Sequence, residues 1–170
     1  MAGAGGRDAS ARSPDSVVRG RYGCDYAGFL AWCFGYDRHQ PGFTAGSDWI
    51  NADSMICESE TRGAWFRPLV APEIGAVIAY CSIEVERDGR RARAGHAGLV
   101  VEFPDAWNNY DEAAWTALRI VHCSPRLQRR YGHAIGETHA AAWAHRASFQ
   151  GSSHPRWRTR FLRYVRPEAP

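Results

Sequence analysis

Residues 26–36, YAGFLAWCFGY, carry apolar side chains on nearly every face of the helix they would form. A surface helix keeps a polar stripe toward water, so a segment without one has to be covered all round. This predicts a short buried helix, with Asp25 as its N-cap candidate and Gly35 near its end. The rest of the chain must supply the covering layers.

Those layers read mostly as strands. Ser47 is placed to cap a second helix running through about Cys57, with Trp49, Ile50, Met55 and Ile56 apolar. Pro72 precedes a β-rich run over 76–86, and Asp88-Gly89 is a turn signal before a second run over 96–103, so the two read as a hairpin. Residues 118–123 form a third strand candidate. Over 156–166, arginines alternate with Trp157, Thr159 and Phe161 in the period of two of a half-buried strand. One buried helix followed by antiparallel strands predicts an α+β domain, the helix packed on the sheet. Its limits are set at 17–166, between an N-terminal arm (1–16) without apolar periodicity and a short tail (167–170). There is no internal repeat.

Composition narrows the class. A chain of 170 residues with 45% hydrophobic content has the apolar mass for one domain core and not for two. No run approaches the roughly 18 apolar residues of a membrane span, and the first twenty residues lack the apolar stretch of a secretory signal. As written, the chain reads as cytoplasmic, with no membrane partner. The five cysteines are odd in number, scattered and mostly set among apolar residues, which predicts buried reduced thiols. All 21 positive residues are arginine, but a net charge of +3 is too small to argue for nucleic acid. The arginine-rich stretches 87–93 and 156–166 read as a solvated hairpin tip and a strand face. His133, His139 and His145 recur every six residues, which places them on no common helical face, and no metal-ligand or cofactor motif is present.

Three short segments carry the chemistry. Cys24-Asp25-Tyr26-Ala27-Gly28-Phe29 opens the buried helix, Gly95-His96-Ala97-Gly98 opens a strand, and Val121-His122-Cys123-Ser124 ends the next. In this order they resemble the NlpC/P60 branch of the papain-like cysteine peptidases and amidases. In that pattern Asp-Cys-Ser-Gly-Phe starts a helix, Gly-His-x-Gly starts a strand, and a polar residue, often His, follows on the neighbouring strand. The likeness runs from about Tyr22 to Glu137, with Trp32, residues 49–54, Pro72 with Gly75, and residues 132–138 also fitting. It implies a papain-like NlpC/P60 fold and, ancestrally, cell-wall peptide as substrate. It makes His96 the base and later proton donor, and His122 the residue that orients the His96 ring. Tyr22, Asp25 and Ala27 become ligand-binding candidates.

The departure lies at the nucleophile. Aligning Asp25 and Gly28-Phe29 with the family segment sets Tyr26 in the cysteine position and Ala27 in that of the following serine. A thiol at a helix N-terminus is acidified by the macrodipole. A phenol, with a pKa of about 10 against about 8.5 for a thiol, is a poor acyl-transfer nucleophile, and its ring would fill the space a peptide carbonyl must enter. Cys24 is the alternative nucleophile, but it stands about 6.6 Å upstream in an extended chain, outside the reach of His96. Gly75-Ala76 also replaces the family's usual Gly-Asp. Three functions stay open: a degenerate peptidase that binds a peptide or amide-like ligand, an active amidase using Cys24 or another nucleophile, and a structural or partner-binding domain with a sealed cleft.

Overall fold

The computed structural model describes residues 25–37, 43, 50–87, 90–124, 126, 127, 129, 132, 134–143 and 159–166, and for 83–87 and 90–94 the backbone alone. The N-terminal arm, the C-terminal tail, Tyr22, Cys24, Ser47 and the Asp88-Gly89 turn lie outside the described residues. In chain order the elements are α1 (Tyr26–Phe34), α2 (Ala52–Thr61), β1 (Phe66–Leu69), β2 (Val77–Arg87), β3 (Arg90–Glu102), α3 (Glu112–Ala117), β4 (Arg119–Cys123), β5 (Ile135–His139) and β6 (Thr159–Tyr164). The architecture is α+β. Six antiparallel strands form one sheet in the order β1-β6-β2-β3-β4-β5, and short helices pack against it.

Strand alternation sends successive side chains to opposite faces, and each face has its own core. On one, Val77, Ala79, Ala97, Cys123 and Leu162 meet Phe29 and Leu30 of α1 and Met55 and Ile56 of α2. On the other, Ile78, Val100, Ile120 and Phe161 meet Trp115, Leu118 and Trp143. The apolar α1 packs into the core through Ala27, Leu30 and Ala31, which are almost inaccessible, but it is not covered all round as expected: Tyr26, Trp32 and Phe34 are half-buried and Cys33 is exposed. Asp25 caps it, its Oδ1 accepting the Gly28 N–H at 2.7 Å. Gly35 closes it at φ 69°, a left-handed conformation that costs glycine little.

Several boundaries differ from expectation. The cap of α2 is Asn51, in a reciprocal capping box with Ser54. The helix then runs past Cys57 to Thr61 because Glu58, fully buried, continues it. Glu58 Oε1 accepts the N–H groups of Ala64 (2.7 Å) and Trp65 (3.1 Å), and Oε2 that of Phe66 (2.9 Å), fastening the entry to β1. β3 begins at Arg90, six residues before His96, since the hairpin ladder pairs 83–87 with 90–94. β1 and β5, short strands at the sheet edges, and the six-residue α3 are too short to show a hydrophobic period in advance. Pro68 fits β1 because an edge strand can spare an N–H. Among the described residues the last strand is Thr159–Tyr164, ending before Val165 and Arg166, and Phe161 and Leu162 are both buried because β6 lies inside the sheet with both faces covered.

The thiols depart from expectation too. All four described cysteines are free, but Cys33 and Cys57 are exposed, Cys81 is half-buried, and Cys123 alone among them is buried. No helix among the described residues is long and apolar enough to cross a membrane.

Candidate functional site

The site is assembled where the start of α1 meets β3 and β4. Tyr26 is the first residue of α1, and its ring meets that of His96 edge to face, centroids 5.0 Å apart at 70°. At that separation the two rings are in contact, with no room for a substrate group between them. His96 Nε2 lies 2.7 Å from His122 Nδ1, and His122 Nε2 lies 3.1 Å from Thr138 Oγ1 on β5. The structure thus brings Tyr26, His96 and His122 together. Of the other candidates, Asp25 is engaged as the helix cap and Ala27 is fully buried in α1, while Tyr22 and Cys24 lie outside the described residues.

Glycine permits the close approach of the strands. A Cβ on Gly98 would stand 2.9 Å from the Val121 carbonyl oxygen and 3.0 Å from His122 Cβ, so only glycine lets β3 approach β4 this closely at the histidine. A Cβ on Gly95 would meet Ser82 N and Oγ at 3.0 Å. Gly95 faces a β-bulge in β2, where the register shifts between Tyr80 and Ile83. The N–H of Ser82, inside the bulge, donates to Asp53 Oδ1 of α2 at 2.5 Å. A bulge removes amides from the ladder, and here a helix carboxylate takes one up.

That bulge decides which side of the sheet the histidine joins. Straight continuation of the Arg87↔Arg90 register would set His96 opposite Cys81, which packs with the α1/α2 core. The bulge sets it opposite Tyr80, which packs with the second core. Both histidines accordingly meet Trp143, at 5.5 Å from His96 and 6.0 Å from His122, and Tyr80 lies 6.3 Å from His96. Trp143 is buried, its N–H bonded to Ala140 O and its carbonyl accepting from Thr159 Oγ1. Tyr26, packed against the core on the α1 side, is the contact that joins the two sides at His96.

Electrostatics follow from burial. His122 is 9% exposed, and the loss of water pushes its pKa below the ordinary value. Burial thus favours its neutral form, which accepts at one ring nitrogen and donates at the other. His96 and Tyr26 are only half-buried, so the open edge of the site is theirs. Two of the described thiols are shifted away from an acidified nucleophile: burial, then the Asp53 and Glu60 carboxylates, push Cys81 up to about 11, and partial desolvation of its side chain raises Cys33. Among the described residues no group of three metal-ligating side chains is gathered, and His139 Nδ1 instead donates to the Thr116 carbonyl at 2.7 Å.

Sequence reasoning missed Tyr80, Trp143 and the individual role of Thr138. Thr138 was legible in principle: it is two residues beyond Gly136, the β-ladder partner of His122, and so shares its face. Tyr80 depends on a bulge that no local residue signals, and Trp143 on ring contacts with residues well before it in the chain, His96 and His122. No protein-family model, curated protein or solved structure matches the chain.

Proposed function

We propose that the chain is an NlpC/P60-like domain in which Tyr26 has replaced the nucleophilic cysteine, and that it binds a peptide or amide-like ligand without cleaving it. One observation carries this reading: the three segments that resemble the family meet at one point, Tyr26 against His96 and His96 against His122. The resemblance supplies the ligand class, and ancestrally that is cell-wall peptide. The half-buried edge of Tyr26 and His96 offers a phenol and an imidazole to amide groups, while the ring contact denies a carbonyl the path to the base. The same contact favours a second reading, a sealed site in a structural or partner-binding domain.

The scaffold is tested by restoring the nucleophile. Tyr26→Cys with Ala27→Ser is expected to create a thiolate whose alkylation rate against pH inflects well below about 8.5. His96→Ala on that background is expected to raise the inflection. The wild-type chain is titrated with muropeptide fragments, and chemical-shift changes confined to Tyr26 and His96 distinguish a binding cleft from a sealed one. A wild-type Cys24 that already alkylates with a depressed pKa, together with loss of a hydrolytic activity in Cys24→Ser, would overturn the reading and make the domain an enzyme.

A further inference from the structure

We infer that Thr138 is a positioning residue for the imidazole pair, its hydroxyl oxygen taking the proton on His122 Nε2 whenever the pair holds one extra proton. The inference goes beyond the proposed function and stands without it, since it concerns three side chains of this chain and no ligand.

Donors and acceptors must match along the three side chains. His96 Nε2 and His122 Nδ1 lie 2.7 Å apart, so one of them must carry a hydrogen and the other must not. When the pair is neutral, two directions satisfy the chain. Either His96 donates to His122 and His122 donates onward to Thr138 Oγ1, or Thr138 donates to His122 and His122 donates to His96. A hydroxyl serves both, because it can donate or accept. Adding one proton removes the choice. If it resides on His96, both nitrogens of that ring carry hydrogen, His122 must accept at Nδ1, and its own proton sits on Nε2. If it resides on His122, both nitrogens of that ring carry hydrogen, and Nε2 again donates. In each case Thr138 Oγ1, 3.1 Å away, is the acceptor.

The surroundings favour the first arrangement. His122 is buried, whereas His96 is half-buried and therefore keeps more of the solvation a cation needs. Among the described residues, rings that face the pair include Tyr26 from α1, Tyr80 from β2 and Trp143 beyond β5, with Thr138 as the neighbour on β5. In that arrangement both nitrogens of His96 carry hydrogen and His122 stays neutral with its hydrogen on Nε2. Thr138 is thus what lets His122 act as a neutral acceptor behind a base.

The test is an NMR titration of the ¹⁵N-labelled full chain, following the imidazole nitrogens of both histidines against pH. In the wild type, His122 is expected to carry its hydrogen on Nε2 as the pair takes up its first proton. Thr138→Val, nearly isosteric but without the acceptor, is expected to lower the apparent pKa of that first uptake by about one unit. Thr138→Ser is expected to restore it. A wild-type His122 protonated only on Nδ1 at the first uptake overturns the inference without any variant. A valine variant with wild-type titration and tautomers overturns it too, as does a serine variant that fails to restore the pKa. The alkylation experiment on Tyr26→Cys reads a different atom, so either conclusion can fail while the other stands.

Discussion

Glu58 and His122 are both buried polar groups, one on each side of the sheet, and they are satisfied in opposite ways. Glu58 is a carboxylate facing three backbone N–H donors, all supplied by residues 64–66. Only one arrangement of hydrogens fits. His122 faces another imidazole and a hydroxyl, each able to donate or accept. Two arrangements fit. The first kind of contact pins a chain segment; the second leaves a proton free to change place within a fixed frame. The α1/α2 side of the sheet is accordingly where the fold is fastened, and the Trp143 side is where chemistry is possible.

The largest effect expected from this contrast is at Glu58. Glu58→Ala leaves three amides without their acceptor and is expected to cost at least about 3 kcal/mol in urea unfolding. A loss below about 1 kcal/mol would show that the carboxylate pins nothing. Gly98→Ala comes next, because the added methyl meets backbone at 2.9 Å and His122 Cβ at 3.0 Å. Roughly 1–3 kcal/mol of destabilisation is expected from that overpacking, with the His122 resonances moving while those of Met55 in the other core stay in place. If both move equally, the two sides are not separable.

Asp53 sharpens the comparison, since it is a fastening on the α2 side that acts on the other side. Asp53→Ala is expected to cost about 1.5 kcal/mol by leaving the Ser82 amide without its acceptor. It should also bring the Cys81 thiol down from about 11, because the carboxylate is one of the charges that raise it. Alkylation of Cys81 against pH reads this directly, and a thiol that titrates as before would detach Asp53 from the bulge. The smallest effect is the pH dependence carried by His122. Its folded pKa lies below the ordinary value of about 6.5, so in acid the unfolded chain binds the proton more readily. Its share of stability is complete above about pH 6.5 and drains away as the pH falls below that toward the folded value. His122→Gln is expected to make unfolding free energy fall less steeply between about pH 6.5 and 5; an unchanged slope would mean that burial of His122 is not what couples it to the fold.

The sequence by itself determined the elements whose signal is local. An apolar run set α1 against the core, Asp25 and Gly35 bounded it, and a turn signal between two β-rich runs made the β2–β3 hairpin. The order of the motifs, through the resemblance it carries, implied one neighbourhood for Tyr26, His96 and His122, and the structure brings the three together. The tertiary structure alone decided what surrounds them. The bulge at Ser82 frees an amide that the Asp53 carboxylate takes up, and the register shift exchanges Cys81 for Tyr80 as the partner of His96. β6 arrives from the far end of the chain to lie between β1 and β2, and Trp143, held to it through Thr159, covers the histidines. None of these can be read locally, since each is a hydrogen bond or a packing contact between residues far apart in the chain, and their energies exist only once the ends have met.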